Sequence, residues 1–432
     1  MVKINWTHIN FRIFFIAIIL GVICGIIMVL FNYLLFFFKM GFSYIPYFLS
    51  PVLASLLTSL LVKYGKFERI MGTGSDQFIK EVALSDVDYK KIPNSIAKTF
   101  ATSCTFGSGM ICGREGPGLL IGANLGVLFS KKNDPNRKDY SFIGASACTA
   151  ALLKIPISGA LFCAELPYNN HIYYKSLIPS IVSSTIAYIL FCSFYGFTPL
   201  ISTELTTATA ININYILLFP ILVIFGIIIG IFVIFYMTTI KKFTYHLKKN
   251  FEKKIGLWIL PFIGGISYGI FLLLIVNFIN FPYSEEFLHP DVSFLNILTN
   301  FIQDIPWFHL LAFSIVIFIA IILSIGTLNS AGLIMPLMII GGLLGGLFGL
   351  AFYPGSPELF VMLGISATLG AATNNPIAAI FIIVEMTWVP LLFIPAGITT
   401  IIAYIISGPK SIIPGQLDVE INNFPGKSDN RM

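Results

Sequence analysis

The stretch GMICGREGPGLLIGANLG, Gly109 to Gly126, sets Arg114 beside Glu115 inside an otherwise apolar, glycine-rich run. A charged side chain at membrane depth is costly and, when present, usually functional. The chemistry open to it follows from its neighbours. A helix that starts inside the membrane aims unsatisfied N–H groups and a positive dipole end at whatever lies in front of it. Such an end binds an anion without any bound cation. Three segments have the composition for it: GTGSDQF (Gly72 to Phe78), GREGP (Gly113 to Pro117) and AGLIMP (Ala331 to Pro336). Their glycines let backbone approach an ion closely, and Pro117 suits a first helical turn. Beside these ends the Glu115 carboxylate is a tethered competitor for the anion. Ionised, it fills the site; protonated, it is neutral and swings away, so that one residue serves as gate and proton carrier. Arg114 points away from its neighbour on a helix and reads as scaffold, pairing with another acid or with carbonyls.

The elements that position these residues are membrane helices. Of 432 residues, 56% are hydrophobic and 11% charged, with a mean hydropathy of +0.88. A soluble domain carries about 25% charged residues. Apolar runs such as FRIFFIAIILGVICGIIMVLFNYLLFFF and YILLFPILVIFGIIIGIFVIFYM exceed the roughly 20 residues that cross a bilayer, and lipid forces them to be helical. The first run is too long for a signal peptide and lacks a small-residue cleavage site. The net charge of +6 is local: KKFTYHLKKNFEKK (Lys241 to Lys254), KKNDPNRK (Lys131 to Lys138), Lys3 and Arg12 are expected in the cytoplasm by the positive-inside rule. They read as solvated loops rather than as a nucleic-acid surface. The acidic stretch YSEEFLHPDVS is a candidate external loop. Six cysteines lack C-x-x-C spacing and five histidines lack H-E-x-x-H, so no metal site is expected. There is no nucleophile–base pairing or phosphate-binding loop, so an enzyme reading has little support and none is expected.

Full-length apolar segments alternate with short ones broken by Gly, Pro or Asn, the pattern of a transporter built from an internal repeat. Pro117 and Pro336 lie 219 positions apart, as do Gly122 and Gly341. LLKIPISGALFCAEL matches ATNNPIAAIFIIVEM, with Pro156 and Pro376, and Glu165 and Glu385, 220 apart. The halves run from about Asn10 to Cys192 and from about Asn212 to Gly408, between a cytoplasmic segment over 1–9 and a short cytoplasmic tail over 409–432. The end of that tail, INNFPGKSDNRM, is expected to be disordered. The offset alone leaves open whether the halves are inverted or parallel.

GREGP is identical to the signature of the CLC family of chloride channels and transporters. GTGSDQ resembles that family's G-S-G-I-P and AGLIMP its G-x-F-x-P, and EMT at Glu385 to Thr387 also matches, in the same order. The resemblance runs from about Asn10 to Asp418. It implies an all-α polytopic membrane protein with the CLC-type fold: two inverted-topology repeats and about eighteen helical segments. It also implies a homodimer in the lipid bilayer of the cell's inner (plasma) membrane, with one pathway per subunit, chloride as substrate, protons as a candidate second substrate, and no cofactor. Glu115 resembles the family's external gating glutamate, and Thr73 stands where its central anion-coordinating serine stands. Leu333 and Ile334 match positions whose backbone N–H groups face the anion, so the family's phenylalanine at 334 is dispensable for binding. Gly113, Gly116 and Gly332 keep the close approach, and Arg114 belongs to the same motif. Two departures weigh more. The family's central tyrosine aligns with Ile413, which has no hydroxyl and leaves the cytoplasmic side less tightly closed. The internal glutamate of proton-coupled members aligns with Leu166; Glu165 survives one position away, turned by roughly 100° along a helix, and is expected to be a structural acid like its repeat mate Glu385. Channel and proton-coupled exchanger both remain open. The alternatives are the family's fluoride-exporting branch, against which Thr73 and an ordinary GREGP count, and a cation-coupled solute symporter, against which three anion-directed helix starts count.

Overall fold

The structure, a computed structural model, describes residues 11–84, 92–130, 134, 136–169, 171–203, 205, 215–278 and 291–418. The expected N-terminal segment 1–9, residues 283–290 of the acidic loop and the tail beyond 418 lie outside the described residues.

Among the described residues the chain forms sixteen α-helices and one two-residue strand pair. In order they are α1 (Phe11–Ser43), α2 (Ser50–Lys63), α3 (Ser75–Leu84), α4 (Ile92–Gly107), α5 (Glu115–Leu128), α6 (Arg137–Leu153), α7 (Pro156–Glu165) and α8 (Tyr174–Tyr195). The second half gives α9 (Tyr215–Phe251), α10 (Leu260–Phe278), α11 (Val292–Phe301), α12 (Trp307–Ile325), α13 (Ile334–Phe352), α14 (Pro357–Thr373), α15 (Pro376–Thr387) and α16 (Phe393–Ser407). Among the described residues, seven helical segments are long and apolar enough to cross a membrane. In α1 the residues Leu20, Cys24, Met28 and Leu35 face protein, while Phe15, Ile18, Val22 and Ile26 are exposed and as apolar as the buried ones. That arrangement suits a helix whose outer solvent is lipid.

The repeat is visible as geometry. Helices α6 and α14 each have 17 residues, and each ends in a left-handed residue, Lys154 (φ 55°) and Asn374 (φ 63°). Both are enclosed almost all round: every residue of α6 except Lys138, and every residue of α14 except Glu358, is buried. Backbone contacts bring them against α5 and α13, where the Gly122 position meets the Gly144 carbonyl and Gly341 that of Gly364. Small residues at such crossings let membrane helices pack at backbone distance.

The orientation that the sequence offset left open is settled by α7 and α15. Glu165, the last residue of α7, accepts from the N–H groups of Ile377 (3.4 Å) and Ala378 (2.8 Å) at the start of α15. Glu385, near the end of α15, accepts from Ile157 (3.1 Å) and Ser158 (2.9 Å) at the start of α7, and from the Ser158 hydroxyl (2.7 Å). Each helix caps the other, so the two repeat mates run antiparallel and the halves are inverted.

After α16 the chain turns back over both halves. The Ile412 N–H donates to the Ala372 carbonyl (2.7 Å), Gln416 Nε2 to the carbonyls of Leu166 and Thr373 (both 2.8 Å), and Leu417–Asp418 pairs in parallel with Tyr168–Asn169. The packing predicts that Gly122→Val, which must displace the Gly144 backbone, destabilises by roughly 1–3 kcal/mol. Gly397→Ala, where nothing lies within 4 Å, leaves the thermal midpoint of the detergent-solubilised protein unchanged.

Candidate functional site

The three glycine-containing turns picked out by composition meet. The Gly113 N–H donates to the Gly332 carbonyl (2.8 Å) and the Gly332 N–H to that of Gly113 (2.7 Å). Beside this pair the Gly72 N–H donates to the Leu328 carbonyl (3.2 Å), and the Ala331 N–H to that of Gly72 (3.4 Å). Gly72 (φ 78°) and Gly74 (φ 85°) occupy left-handed backbone that side chains rarely adopt. They bend residues 72–75 so closely onto the start of α5 that a Cβ at Gly116 would strike the Thr73 carbonyl. Helices α5 and α13 begin immediately beyond the bridge, and neither of their N-caps, Arg114 and Leu333, supplies a side-chain hydrogen bond to the helix. Their leading N–H groups are therefore free to face an anion.

Glu115 lies in front of those starts. It has no exposed surface, and neither carboxylate oxygen makes a regular hydrogen bond. The N–H groups of Arg114, Glu115 itself and Met335 point toward it too loosely for that geometry, and Oε2 lies over Gly113. Arg114 does not neutralise it directly: the guanidinium bonds to Asn32 Oδ1 (2.5 Å) and the Leu152 carbonyl (3.2 Å). A cavity of about 90 Å³ opens beside the carboxylate, lined by Gly113, Arg114, Glu115, Asp291 and Met335 among others.

A second cavity, about 780 Å³, shares no lining residue with the first. Thr73, Leu333 and Ile413 line it, together with Arg69, Lys80, Lys241, Lys248 and one acid, Asp76. Four cations to one carboxylate give this cavity a positive potential that concentrates anions. The Thr73 hydroxyl donates to Asp76 Oδ1 (3.3 Å), so it is engaged locally at the start of α3. Ile413 is 2% exposed, and its N–H donates to Ser411 Oγ (3.1 Å). Ile334 and Gly116 are buried in the first turns of α13 and α5 and line neither cavity. Glu165 and Leu166 line neither cavity: Glu165 is committed to the α15 start, and Leu166 is fully buried with its carbonyl taken by Gln416.

Lys98 is a residue the sequence reading did not single out. It is completely buried on α4, and its Nζ donates to the carbonyls of Ile70 (3.0 Å) and Gly72 (2.9 Å). It pins the bent 70–74 strap from behind and leaves a positive charge under the Thr73 turn. The available signal was a lone lysine in the otherwise neutral run NSIAKTFATSC. Thr102 supports the same region from α4 through a hydroxyl contact with Ser330 (2.8 Å).

Comparison with known proteins places this geometry. The family model of the voltage gated chloride channel matches residues 54–408. The H(+)/Cl(-) exchange transporter ClcA of Vibrio parahaemolyticus is 25% identical over 389 residues, covering 84% of this chain and 78% of that protein. The ClcA of Vibrio campbellii is 25% identical over 431 residues, covering 93% and 87%. Among solved structures, a slow cyanobacterial Cl-/H+ antiporter has the same fold at a TM-score of 0.72 and 18% identity, covering 93% of this chain and 96% of that one. A CLC-type fluoride/proton antiporter does so at 0.73 and 22%, covering 94% and 98%.

Lys98→Met leaves two buried carbonyls without their charged donor. It is expected to destabilise the protein by about 1.5–3 kcal/mol and to weaken the protection that chloride gives against thermal unfolding, read by melting curves with and without the ion.

Proposed function

We propose that this chain, which belongs to the voltage gated chloride channel family, carries chloride across the membrane between the large basic cavity and the small cavity at Glu115, with Glu115 as a movable plug. The observation that carries the reading is the carboxylate itself. It is fully enclosed at two uncapped helix starts, yet no regular hydrogen bond holds it. A small inorganic anion offered by the basic cavity satisfies the same N–H groups equally well, so ion and carboxylate compete for one place. Protonation removes the carboxylate's charge and its claim on the site. The work is electrostatic and uses no cofactor.

In this reading anions enter past Lys241 and Lys248, which the positive-inside rule assigns to the cytoplasmic face, and pass Thr73, Leu333 and Ile413. Ile413 offers no hydroxyl and Leu166 no carboxyl, which supports a loosely closed inner mouth and weak proton coupling. A second reading, tight chloride/proton exchange, is favoured by the similarity to the two ClcA transporters. Fluoride is the competing substrate. The protein works as a homodimer in the inner (plasma) membrane. Supporting the dimer, the half-buried Glu385 caps α7 at an exposed position, Ile157, on a pair of helices of only 10 and 12 residues. A polar group there calls for cover by a second copy.

Reconstitution in liposomes tests the plug. Chloride flux through the parent protein should rise as pH falls, while Glu115→Gln should stay fast at every pH; a variant that keeps the parent's pH response overturns the assignment. Competition between chloride and fluoride in the same assay identifies the substrate, and a chloride gradient that drives protons uphill at a fixed ratio selects exchange over weak coupling. Ile413→Tyr returns a hydroxyl donor to the inner mouth. One added hydrogen bond of about 1 kcal/mol tightens chloride binding roughly fivefold, measured by calorimetry, and slows flux.

A further inference from the structure

The cavity beside Glu115 contains a second carboxylate that the transport reading does not use. Helix α1 shows which side it serves. Near its start Arg12 approaches Asp134 (4.0 Å), within the basic loop expected in the cytoplasm. Near its other end Lys39 pairs with Asp291 (3.3 Å). A helix of 33 residues is about 50 Å long, enough to cross the bilayer, so Asp291 and the small cavity face outward. The titratable and charged groups lining that cavity are Cys112, Arg114, Glu115 and Asp291. Lys39 holds Asp291 from α1, and Tyr195 lies within electrostatic reach of Arg114. Of these, Arg114 is committed to Asn32 and Leu152, and Glu115 is sealed from outside. The Asp291 side chain is 21% exposed. It is the carboxylate, among the described residues, that meets both the exterior and the chamber holding Glu115.

We infer that Asp291 is the outer proton-relay residue of the cycle, accepting a proton from external water and passing it through water in the cavity to the Glu115 carboxylate. The inference rests on the reading of Glu115 as gate. In the first step an O–H bond breaks in hydronium and one forms on Asp291. In the second that proton moves along the cavity to a Glu115 oxygen, and Asp291 returns to its ionised form with no electron transferred. The chamber has room for it: a water needs roughly 10–15 Å³ of such volume and two to four polar partners, against about 90 Å³ with three charged side chains here. Asp291 is also held in place for the task. Oδ1 accepts from the Ser293 N–H (2.8 Å) as the N-cap of α11, Oδ2 accepts from Lys39, and each oxygen keeps a lone pair for water.

The cap suggests the variants. Asn and Ser cap a helix about as well as Asp, so Asp291→Asn and Asp291→Ser remove the relay carboxyl without removing the cap. Full-length protein in liposomes is stepped to acid outside, and the rise of chloride flux is followed by stopped flow. Both variants are expected to respond on the order of a hundredfold more slowly than the parent, the low end of what a positioned proton-transfer group contributes. External imidazole, a small proton carrier, should restore the speed. Asp291→Glu should keep the parent's rate. A parental response in Asp291→Asn and Asp291→Ser, or a slowed response that imidazole leaves slow, overturns the relay. Glu115→Gln is the control: if it too retains the pH step, the gate reading fails first, whereas a flat Glu115→Gln beside an unaffected Asp291→Asn rejects the relay alone.

Discussion

An enclosed negative charge must be met by something positive, and here Glu115 is met by the nearby Arg114 charge and by peptide dipoles, with no cation bonded to it. The guanidinium is turned to Asn32 and Leu152, so its charge acts at a distance while the starts of α5 and α13 face the carboxylate. Much of the architecture follows from that arrangement. A helix can begin within the hydrocarbon only if the irregular chain before it is buried in protein. The reciprocal Gly113–Gly332 bridge satisfies that chain's backbone groups, and the enclosed helices α6 and α14 keep lipid away from the helices that follow. The glycines at 122 and 341 let those shielding helices come close enough to do so.

The chain uses the pairing of carboxylate and helix start twice, with opposite finish. Glu165 and Glu385 meet the starts of α15 and α7 with well-formed hydrogen bonds, two of them 2.8 and 2.9 Å long. Glu115 faces the starts of α5 and α13 with none of regular geometry. A charge-assisted bond to a helix start stabilises by a few kcal/mol at most, and leaving it unmade costs a comparable amount. The bonded pairs act as latches between repeats. The unbonded one is poised for exchange, and the proposed gating role of Glu115 depends on that contrast.

Residue types made part of this legible in advance. A carboxylate among glycines and prolines pointed to a charged site at broken helices, and the offsets of 219 and 220 pointed to duplication. Arg114 was readable as scaffold because adjacent residues diverge on a helix. The offset alone could not show inversion, because it is blind to direction; the family resemblance implied it, and the crossed hydrogen bonds of Glu165 and Glu385 show it. Thr73 was placed by resemblance at the family's anion-coordinating serine, and the contact of its hydroxyl with Asp76 three residues on is a local turn-and-cap contact that composition alone does not reveal. Lys98 escaped notice because a single lysine near polar residues looks like the flank of a loop. Only the three-dimensional path of residues 70–74 shows it to be an internal strut. Asp291 stayed hidden because it is 176 positions from Glu115 and approaches it through a helix cap.

The wall of the basic cavity is drawn from residues 69–80, 240–257, 325–333 and 412–414, stretches scattered along most of the chain. Such long-range closure is slow relative to local helix formation. During synthesis, both inverted halves must already be in place before Ile412, Ile413 and Pro414 can complete the wall of this cavity. A nascent protein therefore passes through a stage in which the lysine-bordered cleft is still open, and the order of translation itself decides when the cavity acquires its last side.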